Sequence, residues 1–70
     1  MAGITSPVAG SVWKVEVEIG DQVRAGQTLV ILESMKMEIP IEAEAAGQVA
    51  EISCSAGDTV AESTVLVVVN

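Results

Sequence analysis

Seventy residues carry ten acidic and three basic side chains, a net charge of −7, and half of the chain is apolar. That balance excludes a nucleic-acid binder, which needs clustered Lys and Arg against phosphate, and a disordered acidic tail. The longest apolar runs, Leu29 to Leu32 and Val65 to Val69, fall far short of the roughly 20 residues of a membrane span.

No basic segment followed by an apolar stretch marks a secretory leader, so a cytoplasmic location without membrane association is expected. The chain has no His and a single Cys, Cys54. A His-based triad, a His-ligated metal, an internal disulfide and a two-Cys zinc clamp are therefore all excluded. Autonomous enzyme chemistry is not expected, and residues 1–70 are read as one small domain.

Val, Ile and Thr together account for 22 of the 70 residues, a composition that suits pleated surfaces. The predicted strands, in chain order, are 2–5, 11–19, 28–33, 37–43, 48–55 and 65–70, with short extended pieces near 23 and 60. In the second strand Val15, Val17 and Ile19 face one way, and Lys14, Glu16 and Glu18 the other. Farther on, Ile52, Cys54 and Ala56 alternate in the same manner with Glu51, Ser53 and Ser55. This is half-buried strand patterning. Val12 and Val49 break the parity, which predicts a bulge just after Gly10 and Gly47.

A shift of 37 positions superposes the sequence on itself without a gap. Ala9 and Gly10 fall on Ala46 and Gly47, Val12 on Val49, and Val15 on Ile52. Gly20 and Asp21 fall on Gly57 and Asp58, Val23 on Val60, and Leu29 and Val30 on Leu66 and Val67. Two copies are too few for a solenoid. Two half-sheets that cannot bury their own faces pair instead, giving a sandwich with quasi-twofold symmetry. Asp21 and Asp58 read as turn residues, and Cys54 as a small core residue matching Val17. Trp13, aligned with Ala50, fits either core or surface.

One copy ends near Glu33 and the next begins near Ile39, so Ser34 to Glu38 form the connector. Local patterning argues otherwise, because Met35, Met37, Ile39 and Ile41 alternate with polar neighbours as if one strand ran through. No Gly or Pro marks a turn there. The repeat overrules that signal.

The chain has two lysines, Lys14 within a strand and Lys36 in the connector. The run Glu33-Ser34-Met35-Lys36-Met37-Glu38 resembles the attachment motif of biotinyl domains, where a Met-Lys-Met tripeptide presents the lysine that becomes biotinylated. Ser6-Pro7 before Ala9-Gly10, the paired Gly-Asp turns and Pro40 extend the resemblance over essentially the whole chain. Ser34 departs from the Ala of many members. The length and the N-terminal Met resemble small stand-alone biotin/lipoyl attachment proteins, and an excised C-terminal domain of a longer carboxylase subunit is equally compatible.

The resemblance implies an all-β fold: a flattened barrel or sandwich of two four-stranded antiparallel sheets, with Lys36 on a hairpin turn. It implies covalent biotin on Lys36, with Met35 and Met37 as flanking recognition residues and Glu33, Ser34 and Glu38 as motif context. It implies a biotin carboxyl carrier, monomeric in itself, whose partners are a biotin protein ligase, a biotin carboxylase and a carboxyltransferase. A lysine of ordinary pKa near 10.4 is only about 0.04% neutral at pH 7, so a ligase must bring an activated acyl group.

Met35 and Met37 fit packing under the turn and exposure to the ligase equally well. The nearest rival is a lipoyl carrier with lipoate on the same lysine. Glu33 is common to that group, but its usual Asp-Lys-Ala tripeptide is absent. A third reading is an unmodified adaptor sandwich, which has no use for Met-Lys-Met.

Overall fold

The computed structural model describes residues 2–70 and holds eight strands; Met1 lies outside the described residues. The strands are β1 (Ala2–Thr5), β2 (Gly10–Val15), β3 (Gln22–Val23), β4 (Thr28–Ser34), β5 (Met37–Glu42), β6 (Gly47–Ile52), β7 (Thr59–Val60) and β8 (Val65–Val69). They form two four-stranded antiparallel sheets, ordered β1-β8-β6-β3 and β5-β4-β2-β7. No helix among the described residues is long and apolar enough to cross a membrane.

The twofold is visible in the strand bounds. Moving β2 and β3 along by 37 positions gives the bounds of β6 and β7. The connecting hydrogen bonds repeat as well. Gly20 N donates to Val49 O, and Gly57 N to Val12 O, both at 2.8 Å. Each Gly-Asp turn thus grips a strand of the other half, so the two copies interlock rather than merely stack. The turns themselves are closed alike: an Asp21 carboxylate oxygen accepts from Glu18 N, and one of Asp58 from Ser55 N, again at 2.8 Å. This is the local side-chain chemistry that favours Asp in turns.

Val12, Leu29, Val30, Leu32, Val49, Leu66 and Val67 are fully buried between the sheets, and Val17 and Cys54 are buried at equivalent places. The register slips between Val12 and Lys14 and between Val49 and Glu51. The expected bulges are therefore present, centred on Trp13 and Ala50 rather than directly after the glycines.

Two predicted strands are shorter than the alternation suggested. β2 ends at Val15 instead of 19, and β6 at Ile52 instead of 55. Ile19 is 67% exposed and does not share the buried face of Val15 and Val17. Its counterpart Ala56 is exposed too. The cause is the turn. Glu16 N still bonds Leu29 O, but Asp21 N then closes back on Glu18 O, turning the chain out of the sheet before Ile19.

One topological fact positions the site. β4 and β5 are the only consecutive strands paired within a sheet among the described residues; every other connection crosses between sheets. At the place the twofold makes equivalent, β1 pairs with β8 and Ala2 stands opposite Val69. One end of the symmetric pair is thus closed by the hairpin, and at the other the first and last strands lie side by side.

Candidate functional site

The β4–β5 hairpin has the tightest loop that antiparallel strands commonly accept. Ser34 pairs with Met37, leaving Met35 and Lys36 as a two-residue turn. Both have positive φ, 52° and 65°. Right-handed strand twist selects turns with positive φ at both central residues, which normally draw Asn or Gly. A side chain with Cβ costs about 1 kcal/mol or more at each such position. The hairpin therefore holds two large side chains in left-handed backbone at the turn that joins the two copies of the repeat. Such strain collects at functional positions.

The result is display. Lys36 is exposed, Met35 is 92% exposed and Met37 60% exposed. Of the two readings open for the methionines, packing under the turn is overturned. Side chains this exposed fill no space beneath it.

The base of the hairpin is fixed. Ser34 Oγ donates to the main-chain carbonyl of Ala9 at 3.0 Å. Beneath it, β2 comes so near that a β-carbon on Gly10 would sit 2.6 Å from Glu33 O and 3.2 Å from Ser34 Cβ. Ala9 and Gly10 thus belong to the site's support, a role that repeat spacing alone does not reveal. The signal for Gly10 is its repetition at Gly47, which approaches the main chain of Asn70 in the same way.

Glu33 and Glu38 stand directly opposite each other across β4 and β5, both exposed. Like charges in that relation oppose pairing, so local stability does not explain them. All six residues singled out by sequence, Glu33 to Glu38, lie on this one hairpin. The other lysine, Lys14, lies in β2 with its Nζ 4.9 Å from the centre of the Trp13 ring. Asp21 and Asp58 serve the turns, as read. Cys54 lies in the core and donates weakly to Leu66 O at 3.7 Å; burial pushes its thiol pKa up, and Asp58 adds to the shift.

A covalent group needs an exposed nucleophile on a rigid mount, and the hairpin offers Lys36. The family model described as "Biotin-requiring enzyme" matches residues 2–69. The chain belongs to this biotin–lipoyl family. A Bacillus subtilis (strain 168) relative named "Biotin/lipoyl attachment protein" is 51% identical over 63 residues, covering 90% of this chain and 86% of its own. A Mycobacterium leprae (strain TN) relative named "Biotinylated protein TB7.3 homolog" is 42% identical over 67 residues, covering 96% and 94%. Among solved structures, the Kluyveromyces lactis urea carboxylase superposes with a TM-score of 0.94 at 32% identity, over 99% of this chain and 6% of that one. The family's two-sheet sandwich is the fold that the internal repeat predicts.

Proposed function

We propose that the chain is a biotin carboxyl carrier, biotinylated on Lys36. The observation that carries this reading is the exposed Met35-Lys36-Met37 tip on a doubly left-handed turn. A carrier has to present one group to at least two active sites in turn, so its attachment point belongs at an exposed extremity with a rigid base. The hairpin meets both demands. Lys36 supplies the amine, the left-handed turn projects it, and Ser34 with Gly10 holds the strand ends still.

The residues fit the group. Lys36 offers an exposed amine, and the flanking methionines offer adaptable apolar surface to a ligase. When bound, biotin supplies a ureido nitrogen that takes up a carboxyl group at one site and releases it at another. The chain contributes position rather than bond chemistry: tethering holds the group at a high effective concentration near both sites. The partners on this reading are a biotin protein ligase, a biotin carboxylase and a carboxyltransferase, met by a monomeric single domain in the cytoplasm. Likeness to a segment of a urea carboxylase supports the carboxylase part.

Lipoate on Lys36 is the second reading, supported by the double name of the Bacillus relative. The exposed methionines favour biotin. Intact mass of protein from its native cell decides. A biotinyl increment that Lys36→Arg abolishes, with the fold retained, is expected. A lipoyl increment, no increment, or biotin retained in Lys36→Arg would refute the reading.

A further inference from the structure

The sulfur of this chain is divided between two environments. Cys54 lies in the core, and its thiol is held protonated, so the thiolate that an oxidant attacks is not formed. Met35 and Met37 flank Lys36 and are 92% and 60% exposed. The third methionine, Met1, lies outside the described residues. Among the described residues, the accessible sulfurs therefore stand on either side of the attachment lysine.

Met35 is the more open of the two. The left-handed turn, with φ of 52° at this residue, projects it away from the sheets. It packs against almost nothing, so a change in its polarity leaves the core untouched. Leu would supply apolar area at the tip equally well. A thioether adds flexibility and a sulfur that takes up oxygen.

We propose that Met35 is an oxidation site whose sulfoxide closes Lys36 to its ligase, with Met37 as the second site. The inference rests on the carrier function proposed above. The oxidant is a hydroperoxide. The sulfur lone pair attacks its outer oxygen and the O–O bond breaks. That oxygen stays on sulfur, and the other leaves with the proton as an alcohol, or as water from hydrogen peroxide. The thioether loses two electrons and the hydroperoxide gains them. A polar, chiral group then replaces an adaptable apolar arm. Its Cα is only about 3.8 Å from that of Lys36, so a ligase that engages the lysine meets the sulfoxide. Methionine sulfoxide reductases, with thiols as the source of electrons, return the thioether. An amide already formed on Lys36 is not broken by these steps, so the control falls on unloaded chains.

The test treats unmodified protein with hydrogen peroxide and follows it by intact mass and peptide mapping. One oxygen is expected on Met35 first and on Met37 next, while Cys54 keeps its thiol; the peptide holding Met1 is read separately. Loading of Lys36 by a biotin ligase should fall about five- to thirty-fold once Met35 carries oxygen, the size of one lost apolar contact. The melting temperature should hold. So should the emission of Trp13, which is 45% exposed on the β2 bulge opposite Ile31 and reports on the sheet below the tip. A pair of methionine sulfoxide reductases, one for each sulfoxide epimer, should restore loading. Met35→Leu keeps an apolar arm without sulfur. At a dose that adds one oxygen to Met35 in the wild type, this variant should keep its own untreated rate.

Cys54 oxidised ahead of Met35, or loading unchanged with oxygen on Met35, would overturn the proposal. So would a loss of loading that the reductases do not restore, or one that comes with a lowered melting temperature, since both mark damage elsewhere. An equal peroxide effect in Met35→Leu would also overturn it, by placing the sensitive group at another residue. Failure of the ligase to load untreated protein refutes the carrier function itself, and is seen before any peroxide is added.

Discussion

Gly10 runs so close to Glu33 that a β-carbon on it would lie 2.6 Å from the Glu33 carbonyl oxygen. That carbonyl belongs to the strand that ends in the Lys36 turn. The close approach seats the hairpin on β2 and brings Ala9 within reach of Ser34. Gly10→Ala is expected to push β4 outward and lower stability by about 1–3 kcal/mol, the usual cost of overpacking. Biotinylation of the fraction still folded should slow, because the mount of Lys36 has moved. Melting curves and ligase kinetics check both. A variant with wild-type melting and wild-type kinetics would show that the contact is slack.

The turn glycines are expected to fail differently. Gly20 and Gly57 have φ of +96° and +95°, and a β-carbon on either would meet nothing within 4 Å. Their cost is conformational, not steric. Gly57→Val should lower stability by about 1–2 kcal/mol through backbone strain alone. Gly20→Val should cost about as much, because both glycines share the left-handed φ, the open space around a β-carbon and the main-chain bond to the other half. Biotinylation of folded protein should stay near normal in each. A large difference between the two would mean the halves are not energetically equivalent.

The hairpin tip should trade stability against modification. Met35 holds φ at 52°, where Asn sits more easily. Met35→Asn is therefore expected to stabilise the protein by about 0.5–1 kcal/mol. The same change removes an exposed methionine from the ligase's view, so biotinylation should fall. Loss of stability in this variant would contradict the strain argument.

The methionines also bear on the choice between biotin and lipoate. Both are exposed, so Met35→Asp with Met37→Ala should hardly move the melting temperature. Recognition should suffer, by about five- to thirty-fold in specificity constant for each lost ligase contact of about 1–2 kcal/mol. Specificity is a difference between two affinities, so lipoylation of the double variant is expected to rise. Paired ligase assays and a melting curve provide the test. Unchanged biotinylation would remove the methionines from the recognition surface.

Cys54 gives the chain an alkaline weakness. Burial, aided by the Asp58 carboxylate, raises its pKa above the ordinary thiol value. Between the unfolded and the folded pKa, the unfolded chain has lost a proton that the native state keeps. Stability must then fall as pH rises through the ordinary thiol range, and be fully present below it. Cys54→Val copies its twofold counterpart Val17 and should melt like wild type at neutral pH but without that alkaline slope. Identical slopes in both proteins would remove Cys54 as the cause.

The architecture is legible in the chain alone, because the repeat constrains both halves at once. A gapless shift cannot hold Gly10, Gly20 and Asp21 in two copies unless two like half-sheets are built and paired. The same shift locates the connector and its lysine against a local alternation that reads as continuous strand. Strand ends are less legible. Alternation runs on to Ile19, but an Asp carboxylate that bonds back to Glu18 ends the sheet pairing first, and periodicity does not register hydrogen bonds.

The conformation of the hairpin tip comes from tertiary packing. Nothing in Met35-Lys36 marks a two-residue turn, since both residues disfavour left-handed backbone. They adopt it because Ser34 and Met37 are held in register by strands whose burial outweighs the strain. Exposure of the methionines follows from the same cause: their residue type suits a core, and the register set by Leu32 and Ile39 places them beyond it. Trp13 is undecidable from sequence for a related reason. A bulge puts two successive residues on one face, and only the slip in pairing against Ile31 shows which face that is.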